Sequence, residues 1–380
     1  MNRDNVKIGI YAPDLSAYGG GEKYICKIAE ILAEKNDVEF IVFEKPNVEE
    51  LESRLNVDLQ GVNIRKFELN YFVKVLHLHQ HVKAFLLKKI TKQYDIFINQ
   101  DINTVIPANS SKNFYICQIP PTNIKRSIFE RVMARTFFDQ NLKTYDKIVV
   151  YSTFVKKWVE KYFDNKIEIL NPPVDIEKFH PGPKENKIVS VGRFFTGAHS
   201  KKQLDMIKIF KELYDNNKSV KNWEYHLAGG VGDIPENKEY LRLCQEESKG
   251  YPIHFHVNTS LENLIDLYSR SKIFWHATGF NEDENKNPEI MEHFGITTGE
   301  AMSAGCVPVV INKGGQPEIV RDGVDGFVWN DSRELKEITL KLITDEYLLK
   351  EKSYAAIMRI KEFGMDNFVN NTKKLFNFKE

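Results

Sequence analysis

The feature that most constrains the fold is a strand, a glycine turn, a helix and a second strand in succession near the start of the chain. Residues 6–12 form a short apolar run, and the loop after them reaches three consecutive glycines at residues 19–21. Residues 22–35 carry apolar side chains on one helical face, and residues 38–43 form a second apolar run. This order makes a βαβ unit, in which the strands lie parallel in one sheet.

The alternation of strands and helices is interrupted once and then begins again. Proline-rich segments at residues 171–173 and 181–183 bracket a stretch that can hold neither a helix nor a central strand. Apolar runs on both sides of them predict strands at residues 96–99, 113–118, 147–151, 188–192, 225–228, 253–257, 273–276 and 307–311. We therefore predict two doubly wound α/β halves joined by a proline-rich linker.

The linker sets the predicted domain boundaries. The first Rossmann-like domain is expected over residues 1–168, and the second over residues 169–360. The last helical stretch, within residues 361–380, is too short for a third domain and is expected to pack back on the first. In such sheets ligands bind beyond the carboxyl ends of the strands, so functional residues are expected in the loops that follow them.

The composition excludes several classes of protein. The 380 residues suffice for two domains of ordinary size. Hydrophobic residues at 42% and charged residues at 28% are typical of a folded globular chain and exclude extended disorder. Because 53 basic side chains balance 53 acidic ones, nothing in the charge indicates a nucleic-acid-binding protein.

Membrane, leader and cysteine patterns predict a soluble cytoplasmic protein. The chain contains no apolar run of about 18 residues, and its first residues lack the apolar core of a signal peptide. Cys26, Cys117, Cys244 and Cys306 lie far apart without a CxxC spacing. Such spacing favours buried thiols in a reducing compartment over a disulfide framework or a zinc site.

The segment between residues 276 and 326 carries the strongest chemical pattern. Glu292 and Glu300 are separated by seven residues, and the chain between them is predicted to be a loop that enters a helix near Gly299. A helix start offers free backbone amides and a positive dipole end, which suit a phosphate. The two carboxylates suit the hydroxyls of a sugar and a ribose. An alternative assigns Glu300 to a capping box with Thr297, without any part in binding.

A longer string around these carboxylates points to a known family. Glu292, the string HFGITTGEAMSAG at residues 293–305 and GGQPEIV at residues 314–320 together resemble the signature of retaining glycosyltransferases of family 4. The resemblance implies the GT-B architecture, in which two Rossmann-like doubly wound domains face a central cleft. It implies metal-independent transfer of a hexose-type sugar from a nucleotide-diphosphate sugar to a glycan or lipid-linked hydroxyl, in polysaccharide or glycoconjugate synthesis. Neither a cofactor nor a metal is expected.

The resemblance also assigns roles to charged residues of the second half. Arg193, after a strand, and Lys201, at a helix start, are similar to the cations that grip the donor diphosphate, and Lys202 is the neighbouring alternative. Fixed cations stabilise the leaving nucleoside diphosphate as it gains negative charge. By the same resemblance Glu292 binds the donor sugar and favours its oxocarbenium-like transition state. Glu300 accepts hydrogen bonds from the ribose.

Further donor-binding positions follow from the same family pattern. The backbone of the loop after Glu292 is expected to cradle phosphate, and residues after two other strands are expected near the nucleotide. These positions are Gly295, Ile296, Thr297, Thr298, Gly229, Gly230 and Asn258. Together with the charged residues they place the donor site on the second half of the chain.

The first half is expected to hold the acceptor. Gly19, Gly20 and Gly21 resemble the family's first glycine loop, which lets a phosphate or sugar approach the backbone closely. Gln118 stands where many relatives carry a histidine near the reacting centre. A glutamine donates hydrogen bonds but does not shuttle a proton near neutral pH. The residue is compatible with a front-face mechanism, in which the leaving phosphate takes the proton of the acceptor.

One segment of the first half leaves alternatives open. Residues 72–92 have the pattern of a basic amphipathic helix, which lies either on an anionic membrane surface or on the protein core. The segment contains His77, His79 and His81, of which only His77 and His81 share a helical face. No third ligand accompanies them in the sequence, so a metal site is not predicted there.

Two other functions are compatible with paired carboxylates. A glycoside hydrolase uses two of them about 5–10 Å apart on either side of one bond. The neighbouring cations and helix start favour a phosphate-bearing donor over that reaction. The second alternative is a GT-B protein that binds or epimerises a nucleotide sugar without transferring it. The intact carboxylate pair disfavours that reading.

Overall fold

The chain forms two compact units. The first comprises Met1–Asn171 and Phe368–Glu380, and the second comprises Pro172–Asn367. Each unit is built on one parallel β-sheet. The computed structural model describes residues 5–16, 18–67, 87–101, 106–119, 140–197 and 199–376.

The sheet of the first unit has seven strands. They are β1 (Lys7–Tyr11), β2 (Asp37–Val42), β3 (Val62–Lys66), β4 (Ile96–Asn99), β5 (Lys112–Cys117), β6 (Lys147–Val150) and β7 (Lys166–Ile169). Their order is β3-β2-β1-β4-β5-β6-β7, and all neighbours run parallel. The central strand β4 is buried along its whole length, as its apolar sequence requires.

The sheet of the second unit has six strands. They are β8 (Glu185–Val191), β9 (Glu224–Gly229), β10 (Ile253–Val257), β11 (Ser271–His276), β12 (Val307–Ile311) and β13 (Phe327–Trp329). Their order is β10-β9-β8-β11-β12-β13, again entirely parallel. The two sheets therefore confirm the predicted pair of doubly wound Rossmann-like domains.

Helices connect the strands. They include α1 (Gly20–Ala33), α2 (Val48–Leu55), α3 (Thr153–Val159), α4 (Gln203–Asn216), α5 (Pro235–Glu247), α6 (Leu261–Arg270), α7 (Ile296–Ser303), α8 (Gln316–Ile319), α9 (Ser332–Thr344), α10 (Glu346–Ile360) and α11 (Met365–Leu375). Helix α1 begins in the glycine turn because the Glu22 carboxylate accepts a hydrogen bond from the Gly19 amide at 2.8 Å.

The last helix, α11, packs mostly within the first unit. Its Phe368 ring lies 5.6 Å from that of Tyr24, and the ring of Phe376, directly after the helix, lies 4.7 Å from that of Phe114. Residues 361–367 belong to the second unit, although the sequence analysis grouped them with the returning helix. The physical reason is a β-bridge in which Gly364 pairs with Val174 of the second unit.

Three strands at the edges of the sheets, β3, β7 and β13, are not predicted from the sequence. Strands β3 and β7 contain polar residues and are at most half-buried, so they lack a clear apolar run. Strand β13 has only three residues. An edge strand has one covered flank, and its sequence carries a weaker apolar signal than a central strand.

Two further observations concern the cysteines and the lengths of the helices. The four cysteines are free and buried, in agreement with the sequence analysis. Within the described parts of the chain, every helix falls short of the length and apolarity that a bilayer crossing needs.

Candidate active site

The carboxyl ends of three neighbouring strands carry the predicted donor residues. Strand β8 leads into Gly192 and Arg193, β9 ends at Gly229, and β11 ends at His276. Because β8 lies between β9 and β11 and all three are parallel, these ends meet at one edge of the second sheet. We locate the candidate active site at this edge.

The carboxylate of Glu292 is held here by a cation and an imidazole. Lys201 Nζ lies 2.5 Å from Glu292 Oε2, and His276 Nε2 lies 3.3 Å from the same oxygen. Since an ionised carboxylate only accepts hydrogen bonds, Nε2 of a neutral His276 carries the hydrogen and donates it. Thr278 Oγ1 lies 3.2 Å from the same nitrogen. Two donors thus fix the orientation of the Glu292 carboxylate.

These contacts keep Glu292 ionised. Burial by itself raises the pKa of Glu292, but the charge of Lys201 and the hydrogen bond of His276 outweigh burial, and the pKa lies well below its usual range. Burial also lowers the pKa of His276, against the opposing effect of Glu292, so the imidazole is neutral. The site therefore presents a fixed negative charge beside a fixed ammonium group.

The backbone at Glu292 is fixed by the two glycines that follow β12. The Gly315 amide donates to the Glu292 carbonyl at 2.7 Å. A Cβ on Gly314 would lie 2.2 Å from that carbonyl oxygen, and Gly314 has a φ of +62°, which favours glycine. The GGQPEIV string therefore positions Glu292 through its backbone, a role that the sequence analysis did not assign.

The helix inside the signature begins earlier than predicted. Helix α7 starts at Ile296 with Gly295 as its N-cap, instead of near Gly299. The Thr298 amide donates to the Gly295 carbonyl at 3.0 Å, and the Thr298 hydroxyl donates to Gln316 Oε1 at 2.8 Å. Thr298 is fully buried. Its amide and hydroxyl thus hold the loop together, and the expectation that Thr298 takes part in phosphate binding stays a prediction.

Glu300 lies in the second turn of α7, so it forms no capping box. The N-cap is Gly295, which has no side chain, and Thr297 is already inside the helix. The Tyr268 hydroxyl lies 3.4 Å from Glu300 Oε2 and 3.2 Å from the Thr297 carbonyl oxygen. The structure thus excludes the capping alternative and leaves Glu300 half-buried beside a tyrosine.

The two neighbouring lysines at the start of α4 have different partners. Lys201 pairs with Glu292, whereas Lys202 pairs with Glu282 at 2.6 Å. The Lys201 side chain crosses Gly192, where a Cβ would lie 2.5 Å from Lys201 Cγ. Only a glycine leaves this path open without a shift of the lysine. The geometry therefore favours Lys201 over Lys202 as the cation next to Glu292.

Arg193 shares the electrostatic environment of this pair. Its side chain is exposed, and its guanidinium lies 5.2 Å from the centroid of the Phe195 ring. Burial lowers the pKa of His199, and the charges of Glu292, Lys201 and Arg193 all act on that imidazole. The sequence analysis missed His199, which lies in the loop between the two predicted cations.

The turns after β9 and β10 border the same edge. The Asn258 amide donates to the Gly229 carbonyl at 3.0 Å, and its side-chain oxygen accepts from the Val231 amide at 3.0 Å. Gly230 lies between these two contacts. A Cβ on Gly229 would lie 2.0 Å from the Gly192 carbonyl oxygen, so the two glycines pack backbone against backbone. The structure thus brings the predicted nucleotide residues next to the glycine that supports Lys201.

In the first unit the structure brings the glycine loop and Gln118 together. Gly19 is the N-cap of α1, Gly20 begins the helix, and a Cβ on Gly21 would lie 2.7 Å from Gln118 Oε1. Gln100 Nε2 donates to the Gly21 carbonyl at 2.8 Å. The sequence analysis missed Gln100, although its position directly after a buried strand is a signal that could have found it.

One set of predictions concerns a segment that the structure covers only in part. His77, His79 and His81, with most of the amphipathic pattern at residues 72–92, lie outside the described residues. Residues 87–91 of that pattern are helical. The choice between a membrane surface and the protein core for this segment stays a prediction.

A protein-family model matches most of the second unit. Residues 173–359 match the family model described as "Glycosyl transferases group 1". The matched range contains the Lys201–Glu292 pair, Arg193, Glu300 and the turns after β9 and β10. The predicted signature therefore lies inside a recognised glycosyltransferase domain.

Two relatives from Dictyostelium discoideum match nearly the whole chain. A GDP-Man:Man(3)GlcNAc(2)-PP-Dol alpha-1,2-mannosyltransferase is 24% identical, over 98% of this chain and 85% of its own length. An alpha-1,3/1,6-mannosyltransferase, ALG2, is 22% identical, over 96% of both chains. The similarity extends over both units of the protein.

A solved structure extends the likeness to the fold. The glycosyltransferase from Rickettsia africae ESF-5 superimposes with a TM-score of 0.73 at 16% sequence identity, over 99% of this chain and 100% of the other. This likeness confirms the predicted GT-B architecture, and the family match and the two relatives support the predicted glycosyltransferase. The protein is a glycosyltransferase of the GT-B fold, and its residues 173–359 match the group 1 glycosyl transferases.

Proposed function

We propose that this glycosyltransferase transfers a mannosyl group from GDP-mannose to a hydroxyl of a lipid-linked glycan, with retention of configuration and without a metal ion. The observation that carries the proposal is the Lys201–Glu292 pair at the carboxyl edge of the second sheet. The names of the two relatives support mannose, and one of them contains GDP-Man and a PP-Dol glycan.

Arg193 and Lys201 hold the diphosphate of the donor in this proposal. When the bond between the sugar C1 and the phosphate oxygen breaks, the departing nucleoside diphosphate gains negative charge. Two fixed cations lower the energy of that state because they are already in place before the bond breaks. The start of α7 adds the positive end of a helix dipole. This neutralisation takes the place of a metal ion.

Glu292 binds the hydroxyls of the donor sugar. Sugar and diphosphate are adjacent groups of one donor, and the Glu292 carboxylate lies 2.5 Å from the Lys201 ammonium group. The ammonium group can therefore bind the diphosphate while the carboxylate binds the neighbouring sugar. As C1 gains positive charge, the carboxylate, kept ionised by its neighbours, stabilises the oxocarbenium-like state. Glu300 accepts hydrogen bonds from the ribose hydroxyls.

The acceptor reacts on the face from which the phosphate departs. A bond forms between the acceptor oxygen and C1 as the bond from C1 to the phosphate oxygen breaks. The proton of the acceptor hydroxyl passes to the departing phosphate oxygen, so no protein base is needed and the configuration at C1 is retained. Gln118, in the acceptor-side unit with Gly21, supplies hydrogen bonds and carries no proton.

A lipid-linked acceptor would bring the enzyme to a membrane surface. We propose a cytoplasmic protein in peripheral contact with the membrane through residues 72–92. The support is the basic amphipathic sequence of that segment, since such helices are attracted to anionic lipids. Vesicle co-sedimentation with and without anionic lipid tests this contact separately from the chemistry.

The experiment is a transfer assay with radiolabelled GDP-mannose and a synthetic lipid-pyrophosphate glycan as acceptor, in the presence of EDTA. We expect label in the lipid phase, released by an α-specific mannosidase. Glu292→Gln should abolish transfer, while Glu236→Gln, on an exposed residue of α5, should retain it. Free mannose released from a nucleotide-free glycoside would identify a hydrolase, and donor binding without transfer or epimerisation would identify a binding protein.

A further inference from the structure

A cluster of histidines lies on the second sheet away from the proposed donor site. In the register of β9 and β10, His226 stands opposite His254. Side chains two residues apart on a strand share a face, so Glu224 and His226 lie together on β9, as do His254 and His256 on β10. One face of this strand pair therefore carries three imidazoles and a carboxylate.

Three of these side chains converge. Glu224 Oε2 lies 3.0 Å from His226 Nε2 and 3.9 Å from His254 Nε2. One ligand atom from each of the three residues lies within 4.8 Å of the others. Ligands of a tetrahedral zinc ion, at bond lengths of about 2.0–2.1 Å, lie roughly 3.4 Å from one another. The observed distances between the ligand atoms lie on both sides of that value. Small side-chain rotations therefore suffice to bring the three atoms to the spacing of zinc ligands.

We propose that Glu224, His226 and His254 form a binding site for a divalent transition metal of the zinc type. Two imidazoles and a carboxylate are a ligand set that such ions prefer over calcium or magnesium. Three protein ligands leave a fourth position of the tetrahedron for water. The site is separate from the proposed metal-independent chemistry of the donor site.

His256 supports the buried ligand from behind. Its Nε2 lies 2.9 Å from His226 Nδ1, the ring nitrogen that does not face Glu224. Metal-binding histidines usually donate from their second nitrogen to a partner that fixes the tautomer and the ring orientation. His256 is thus a positioning residue of the site.

The surroundings permit access and limit repulsion. The side chains of His254 and Glu224 are 48% and 45% exposed, so an ion reaches the site from solvent. Lys187 of β8 stands opposite Glu224 in the register, and its charge opposes a cation. That charge is offset because Lys187 Nζ pairs with Glu185 at 2.6 Å.

The position of the cluster indicates a structural site. Glu224 is the first residue of β9, and the proposed donor residue Gly229 is the last. At about 3.3 Å per residue the two ends of this strand lie roughly 16 Å apart. A metal held by Glu224, His226 and His254 would join β9 to the edge strand β10. It would stabilise the second unit without taking part in transfer.

The test is titration of the tag-free full-length protein, stripped with EDTA and dialysed, with zinc chloride in a calorimeter. We expect one equivalent to bind and the melting temperature to rise. His254→Ala and Glu224→Gln should each weaken zinc binding by at least about 10-fold, and His256→Ala by about 10- to 100-fold. Cobalt should give the intense absorption of a tetrahedral site in the wild type and lose it in His254→Ala.

A matched control is His180→Ala, which removes an exposed histidine outside the cluster and should leave zinc binding unchanged. Because His254 and Glu224 are exposed, their variants should fold, and circular dichroism checks this. The proposal is overturned if the folded His254→Ala and Glu224→Gln variants bind zinc as the wild type does. It is equally overturned if the wild type binds less than half an equivalent.

Discussion

The loops after β1 and β8 occupy the same position in two sheets of the same connectivity, yet they present different chemistry. Each sheet places its first strand between its second and fourth, at the point where the strand order reverses. In the first unit the absent side chain of Gly21 leaves room for the neutral Gln118. In the second unit the absent side chain of Gly192 leaves room for the cationic Lys201.

Under the proposed function, the difference shows how one architecture serves two substrates. The strand order fixes where a ligand meets the protein, and a glycine after the first strand keeps that place open. The side chain that fills the place then decides the chemistry. A neutral amide suits an uncharged acceptor hydroxyl, whereas an ammonium group beside Glu292 suits a donor that combines a diphosphate with a sugar.

The largest expected effect comes from removing the charge in the second loop. Lys201→Met keeps most of the volume of the side chain but loses the ammonium group, so kcat for mannosyl transfer should fall about 10²- to 10³-fold. Gln118→Ala should lower kcat by no more than about 10-fold, since a neutral hydrogen bond contributes less. Steady-state kinetics of both variants measures the contrast.

Lys202→Met is the matched control for this contrast. Lys202 adjoins Lys201 but pairs with Glu282, so its loss should leave kcat within a few-fold of the wild type. Equal losses in Lys201→Met and Lys202→Met would contradict the distinction between the two lysines.

The next effect comes from filling the two glycine positions. A Cβ would lie 2.5 Å from Lys201 Cγ in Gly192→Ala and 2.7 Å from Gln118 Oε1 in Gly21→Ala. Both side chains must move. We expect Gly192→Ala to lower kcat/KM for the donor about 10- to 100-fold, as a displacement near the reacting atoms can. Gly21→Ala should raise only the KM of the acceptor. A lower kcat/KM for the donor in Gly21→Ala would contradict this distinction between the two units.

Local sequence patterns predict the sheets and the region of this site, but not the contacts between residues that are far apart in the chain. The strand pattern predicts both sheets, because buried strands leave a signal in local sequence. The donor region is predicted by the resemblance of the string around Glu292 and Glu300 to a family signature. The Lys201–Glu292 contact joins residues 91 positions apart, and no local pattern encodes such a distance. The same holds for His199, whose role depends on where other loops pass.

The start of α7 shows a second limit of the sequence. Thr297 and Glu300 satisfy the spacing of a capping box, yet the helix begins at Ile296. The reason is tertiary: the buried Thr298 hydroxyl bonds to Gln316, and this contact with the turn after β12 sets the first helical residue. Spacing rules describe a helix start only when the local side chains have no stronger distant partner.

A smaller effect concerns stability at two glycines with positive φ, one in each unit. Gly61 has a φ of +90° and open space around its Cα, so Gly61→Ala should cost about 1 kcal/mol from backbone strain. Gly314→Ala adds a clash with the Glu292 carbonyl oxygen and should cost about 2–4 kcal/mol. Urea unfolding measures both. Equal costs would show that the turn after β12 tolerates a side chain.

The smallest expected effect is a dependence of stability on pH in the second unit. The histidines that the structure describes all lie in the second unit: His180, His199, His226, His254, His256, His276 and His293. Burial lowers the pKa of His293 to about 3, against about 6.5 in an unfolded chain. Between these values the unfolded chain binds one more proton than the folded one. His293 therefore makes stability fall as pH drops below about 6.5.

The size of this pH effect follows from proton linkage. Between pH 6.5 and pH 4, His293 should contribute a loss of about 1.4 kcal/mol per pH unit. In His293→Gln the stability of the second unit should decrease less steeply by that amount, as urea unfolding followed by tryptophan fluorescence measures. His180→Gln, at an exposed position, should keep the wild-type slope. An unchanged slope in His293→Gln would contradict the assignment.

The most direct test of the account is calorimetric binding of GDP and GDP-mannose in EDTA to the wild type, Lys201→Met and Glu292→Gln. The account predicts that Lys201→Met weakens both ligands about 10- to 100-fold, because both carry the diphosphate. Glu292→Gln should weaken GDP-mannose alone, because only that ligand carries the sugar. If Lys201→Met binds GDP as tightly as the wild type, the cation beside Glu292 does not hold the donor diphosphate and the central claim is contradicted.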